Sequence, residues 1–266
     1  MVLHASEWNG TLKYWGHQVL GPSKPRSHKV SFRGARLRFA RGFLETMSQA
    51  SGALSSNPGQ LTLIFEFSIL FLALPLAFRF KVFPFPPIPA LWLVAAYCLF
   101  RLWSDPSFDR RLLWNPAAFP PLAGQIFLLF CLTALGVGLG VYMLRPQRLF
   151  SFVRRAPWFW GVVMLFYPVL SVYPQGLVYR AFFFHRYRGL FPGTLGMALA
   201  SAAVFAFVHI IFRNPIAVSF TLVGGLLFAW RYRQTGSLFT SSLEHALYGC
   251  WMFTIGLGDF FYKGAR

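Results

Sequence analysis

Two histidines and an arginine stand in stretches otherwise apolar enough to lie in a bilayer. Arg180 closes Pro174-Gln175-Gly176-Leu177-Val178-Tyr179-Arg180, His209 closes Phe205-Ala206-Phe207-Val208-His209, and His245 belongs to Glu244-His245-Ala246-Leu247-Tyr248-Gly249. An ionisable side chain at the centre of hydrocarbon costs about 2.5 to 3.5 kcal/mol on insertion scales, so three such clusters read as a buried reaction centre rather than as accidents of packing. The spacing agrees. Gly176 and Arg180, Phe205 and His209, and His245 and Gly249 are each four residues apart, so each helix turns one short polar face, with Gln175 flanking the first, toward a common point. Blander readings compete with this one: Arg180 snorkelling to headgroups beside Arg186 and Arg188, His209 as a satisfied core imidazole, and His245 at the water-facing end of its span. Two histidines also invite a metal, but catalytic zinc normally takes three protein ligands and a water. His185 becomes a third ligand only if its helix bends. The site is therefore read as free of metal and cofactor, with zinc on His209 and His245 as the lesser alternative.

The elements that must position these residues are membrane spans. The chain has 266 residues, 56% hydrophobic and 12% charged, against roughly 25% charged in soluble domains. A hydrocarbon core of ~30 Å needs about 20 apolar residues. That ruler places spans near 61–78, 88–104, 122–144, 157–173, 195–212, 215–230 and 238–257, with 174–190 continuing the fourth as helix, kinked at Pro174. The fold class is an all-α polytopic bundle of seven to eight transmembrane helices around a central polar cavity. A formal charge of +18 would imply nucleic acid in a soluble protein. Here the basic residues punctuate apolar spans, so membrane lipids with anionic headgroups are the expected partner and nucleic acid is not.

Residues 1–59 form a separate basic arm without a sustained apolar period, and residues 60–266 the membrane domain. The Arg-rich 33–41 stretch reads as a short surface helix or a transit sequence, with Met47 as an alternative start. No apolar core precedes residue 61, so no cleaved secretory signal is expected. Leaving the arm aside, Lys and Arg divide almost evenly between the two sides, and charge does not set the orientation. Pro84, Pro86, Pro87 and Pro89 read as a stiff turn and 105–121 as a polar loop. Cys98, Cys131 and Cys250 read as buried small hydrophobes. Gly136, Gly138, Gly140, Gly224 and Gly225 read as places of close helix approach.

The order Gln175-Gly176-x-x-x-Arg180 with an aromatic run behind it, then Phe205-x-x-x-His209, then His245 with a small residue at Gly249, resembles the CPBP family of membrane proteases. That family includes the type II CAAX prenyl endopeptidases and bacterial relatives once grouped as abortive-infection proteins. Tyr179-Arg-Ala-Phe-Phe-Phe-His-Arg-Tyr187, His-Ala-Leu-Tyr-Gly (245–249) and Phe-Thr-Ile-Gly-Leu-Gly (253–258) are similar to the bacterial branch. The resemblance covers about 155–262 and implies a bundle with a conical cavity, multi-pass in the bacterial inner membrane. The activity it implies is hydrolysis of peptide bonds in membrane-associated or lipidated peptides or proteins by a glutamate-activated water. It assigns Arg180 to fixing the first motif, His209 and His245 to water or oxyanion contacts, and Gln175 to positioning water.

One departure decides how far this carries. The family motif is Glu-Glu-x-x-x-Arg or Gln-Glu-x-x-x-Arg, and the position of the essential carboxylate is Gly176. Loss of a positioned base removes ~10² to 10⁴ in rate, and Gln175 cannot accept a proton at neutral pH. Glu244 points about 100° away from His245 on a helix. Glu66 is the better replacement, unless it is bonded inside the bundle. The leading reading is a membrane endopeptidase by descent with impaired activity. A non-catalytic pseudoprotease, acting as a chaperone or immunity factor that holds a membrane segment, comes second, and a transporter third.

Overall fold

The computed structural model describes residues 58–82, 85–191 and 193–262. The basic arm, its 33–41 stretch, Met47, Glu7 and Glu45 lie outside the described residues, apart from the last two positions of the arm. The described chain is helical, with no strand among the described residues. Its principal helices are α1 (Gly59–Arg79), α2 (Pro87–Trp103), α3 (Ala123–Leu144), α4 (Pro157–Arg186), α5 (Gly193–Phe212), α6 (Pro215–Thr235) and α7 (Leu238–Ile255). Five helices are long and apolar enough to cross a membrane: α1, α4, α5, α6 and the segment Pro116–Leu144 that contains α3. Pro87–Trp103 is shorter and equally apolar in character. Pro87 and Pro89 sit in the first turn of α2, where a missing N–H costs nothing.

Consecutive helices run antiparallel, which gives the bundle two ends. At one, His185 meets Asp105 at 2.8 Å, Arg186 meets Glu66 at 2.7 Å, and Ser237 Oγ donates to the Asn115 carbonyl at 2.8 Å. At the other, Arg213 donates to the Arg79 carbonyl at 2.7 Å, Asn214 to that of Phe260 at 2.9 Å, and Arg148 lies 3.8 Å from Asp259. Two sharp turns set α5, α6 and α7 side by side. Asn214 caps α6 by accepting from the Ala217 N–H, with Pro215 behind it. Gly236, at φ +55°, ends α6 in the left-handed region, and Ser237 caps α7.

α5 and α6 approach closely at Gly225, where a Cβ would lie 3.1 Å from the Ala202 backbone. Gly138 touches Trp251 and Ile255, but Gly136 and Gly140 meet nothing within 4 Å. Close approach therefore holds for only part of the expected glycine set. Cys98 is buried, but Cys131 is exposed and Cys250 half-buried, because in a bilayer an apolar side chain is as well placed against lipid as against protein. The outer face of α3 shows the same economy, with Leu128, Leu132 and Leu135 all exposed.

Candidate functional site

The site is built on two phenyl rings. α4 runs unbroken through Pro174, with π-helical turns at Pro168–Val172 and Leu177–Phe182. Pro174 has no N–H, and the Leu170 carbonyl four residues earlier accepts the Trp92 Nε1–H at 3.0 Å instead. The second π turn is buried throughout and carries Arg180, which is 1% exposed. Its guanidinium carbon lies 4.3 Å from the centre of the Phe205 ring on α5 and 5.3 Å from that of Phe228 on α6. Nε, Nη1 and Nη2 are all buried without a protein acceptor.

The histidines reach the same rings from other helices. His245 on α7 stacks on Phe228 at 4.5 Å and 20°, and meets Phe205 edge-on at 5.5 Å. Its Nδ1 is buried and unpaired. His209 lies 4.9 Å from Phe205, where α5 tightens into a final 3₁₀ turn. Its Nδ1–H donates to the Phe205 carbonyl at 2.6 Å, and since a carbonyl only accepts, Nε2 is left as the acceptor nitrogen. The structure thus brings Arg180, His209 and His245 together, and Arg180 does not snorkel.

Beside them lies a cavity of about 400 Å³, walled by α3, α6 and α7 with contributions from Tyr167, Phe205, His209 and Phe261. Its lining is mostly aliphatic and aromatic, with the two imidazoles among its few polar groups. The central cavity expected to be polar is instead apolar with a polar end, and the hydroxyls of Thr133 and Thr221 in its lining are turned back onto carbonyls of their own helices.

Gln175 and the two glycines of the motifs are placed differently. Gln175 Nε2 donates to Ser171 Oγ at 2.7 Å within its own helix, away from both imidazoles. Gly176 faces α7, where an added Cβ would lie 2.7 Å from Ser242 Oγ and 2.9 Å from Leu238 Cδ1. It therefore diverges from Arg180, which faces α5 and α6, and the single shared face expected of them is split between neighbours. At Gly249 an added Cβ would run into the ring and hydroxyl of Tyr167.

Every carboxylate among the described residues is engaged elsewhere. Glu66 accepts two bonds from Arg186, at 2.7 and 2.9 Å, and one from Tyr97 at 2.9 Å. It is bonded inside the bundle and is not free to act as a base. Glu244 accepts from Arg231 Nε at 2.7 Å and Nη2 at 3.1 Å, with 0% and 3% of the two side chains exposed. Asp105 binds His185 and Ser107, Asp109 caps the Arg111 N–H, and Asp259 lies near Arg148. The His185 hydrogen bond, aided by Ser107, holds the Asp105 carboxyl below the usual carboxylate range.

No three His, Cys, Asp or Glu side chains group as metal ligands among the described residues. His185 is committed to Asp105 at one end of the bundle, so the two site histidines do not make a donor set that fits zinc. Sequence reasoning missed Phe228, Tyr167 and Arg231. For Arg231 a signal existed: it and Glu244 are opposite charges flanking the Gly236-Ser237 turn, as cross-pairing in a helical hairpin requires.

Residues 156–251 match the family model described as Type II CAAX prenyl endopeptidase Rce1-like, about a third of the chain and inclusive of Gln175, Gly176, Arg180, His209 and His245. No curated protein and no solved structure matches the chain. With its long apolar helices, the match marks an integral membrane protein with the resemblance of a CAAX-type intramembrane protease.

Proposed function

We propose that this chain is a multi-pass protein of the bacterial inner membrane that uses a CAAX-protease-like cavity to hold a lipid-linked, membrane-associated peptide or protein without cleaving it. The observation that carries the reading is position 176. The residue there is glycine, the space a side chain would enter is filled by Ser242 and Leu238, and no other described carboxylate stands free to serve as the base. A water held by His209 and His245 would meet only a neutral imidazole nitrogen as proton acceptor, without the carboxylate of raised pKa that suits peptide hydrolysis in low-dielectric surroundings. The surviving parts suit binding: a largely apolar cavity, an unpaired guanidinium, and two imidazoles fixed on aromatic rings. Arg180, His209 and His245 are then ligand contacts.

The test is to incubate the purified full chain, in lipid nanodiscs, with prenylated and unmodified C-terminal peptides carrying a photocrosslinker. Crosslinking of the prenylated peptides near Thr133 and Val223, with every peptide recovered at full mass, is the expected result. Cleavage that disappears in His245→Ala would overturn the reading.

A further inference from the structure

Several buried polar atoms without a protein partner lie around the cavity. Arg180 presents three nitrogens, His245 its Nδ1 and Trp251 its indole Nε1, all buried and without a protein partner. Phe205, Phe228, His245 and Trp251 all line the cavity, and Arg180 lies against the first two. A guanidinium that is buried and unpaired is far more costly than one that is buried and paired. A buried guanidinium with no carboxylate beside it calls for an anion, and its planar fork favours a planar, two-oxygen one.

The rest of the cavity describes the other end of that anion. Val223, 69% exposed on α6, and Thr133, exposed on α3, belong both to the outer surface and to the lining. The cavity therefore opens sideways between these two helices toward lipid. Arg231 Nη1 and Gln125 Oε1, 3.3 Å apart, join the same helices at one end of the opening. The backbone of a lipid-linked peptide would bring an N–H and a C=O per residue, each needing a partner away from water, so it is the lipid of such a ligand that suits the cavity. The lining offers few such partners, and Thr221 already donates to the Ala217 and Val218 carbonyls. An alkyl chain needs none.

We infer that the cavity takes a free long-chain fatty acid from the bilayer, its chain between α3 and α6 and its carboxylate on Arg180. This rests on the cavity being a receptor and goes further by naming what it grips. Lipid tails are as apolar as the cavity, so the chain itself gains little by leaving the membrane. Selectivity then resides in the headgroup, and removal of its charge should weaken binding roughly 30-fold or more.

The experiment is displacement of a fluorescent fatty acid from the delipidated full chain in detergent micelles. Competitors are palmitate, hexadecanol, hexadecyl phosphate, acetate and a prenylated peptide with a free C-terminus. Palmitate should outcompete hexadecanol by that factor, hexadecyl phosphate should be weaker than palmitate, and acetate should fail. In Arg180→Met the acid and the alcohol should become equal. The acid-to-alcohol comparison on the unaltered protein carries the test whether or not that variant folds. Equal competition by acid and alcohol, or none by either, would overturn the inference, as would a phosphate that exceeds the carboxylate. A prenylated peptide that binds uncut while palmitate does not would sink the fatty-acid assignment and leave the receptor reading standing. Peptide cleavage by the same preparation would sink the receptor reading itself.

Discussion

Two buried arginines on neighbouring helices are treated in opposite ways. Arg231 on α6 spends Nε and Nη2 on Glu244 and Nη1 on Gln125 and Gln234. Arg180 on α4, equally buried, has no hydrogen bond to protein and only the faces of Phe205 and Phe228. A cation over an aromatic face returns about 0.5–2 kcal/mol, less than the several kcal/mol that burial of the ion costs. The first arginine is architecture, joining α3, α6 and α7. The second is held at a cost to the fold, and that cost marks where a ligand supplies what the chain does not.

The comparison can be broken most forcefully at Arg231. Arg231→Met leaves Glu244 charged, buried and alone, and should cost about 3–5 kcal/mol, read as a large fall in thermal midpoint in detergent. A midpoint within error of the unaltered protein would erase the distinction between the two arginines.

Next come the glycines beside the site. Gly249→Asn drives a Cβ into Tyr167 and should cost about 1–3 kcal/mol through overpacking. Tyr167→Ala should relieve most of that loss in the double variant. Gly176→Ala is expected to be milder. Alanine gains about 0.5–1 kcal/mol over glycine in a helix, but the contacts with Ser242 and Leu238 at 2.7 and 2.9 Å should turn the sign to a net loss. A stabilised Gly176→Ala would show that the gap between α4 and α7 admits a side chain, and would weaken the case against a carboxylate there.

The smallest effect is expected at the half-buried Asp105–His185 pair. The Asp105 carboxyl is held below its usual range, chiefly by His185. Its contribution is therefore complete above the unfolded value of about 3.9 and fades as pH falls from there toward the folded one. Asp105→Asn should flatten the fall in thermal midpoint below about pH 4, and an unchanged acid limb would show that the pair does not act.

Much of the scaffold could be read from the residues because a bilayer imposes simple rules. The apolar runs at 215–230 and 238–257 became α6 and α7 with small shifts at their ends, and the stretch from Pro174 continued the fourth helix as far as Arg186, as its closeness to that span implied. The meeting of Arg180, His209 and His245 followed from polar faces that have nowhere else to go in hydrocarbon. Other features were beyond the reach of periodicity. A π turn at Leu177–Phe182 changes which neighbour each residue faces, so Gly176 and Arg180 separate despite their spacing of four. Phe228 and Tyr167 look like any other apolar side chain in a span until the partner helix is in place. Glu66 could have lined a cavity or paired within the bundle, and only the arrival of Arg186 from 120 residues away decides it.

The most direct test of the central claim is the thermal midpoint of Arg180→Met in delipidated protein, measured beside Arg231→Met. An unpaired guanidinium predicts a midpoint equal to or above that of the unaltered chain, with added palmitate raising only the latter. A fall comparable to that of Arg231→Met would show that Arg180 already has its partner within the fold, and would contradict the account.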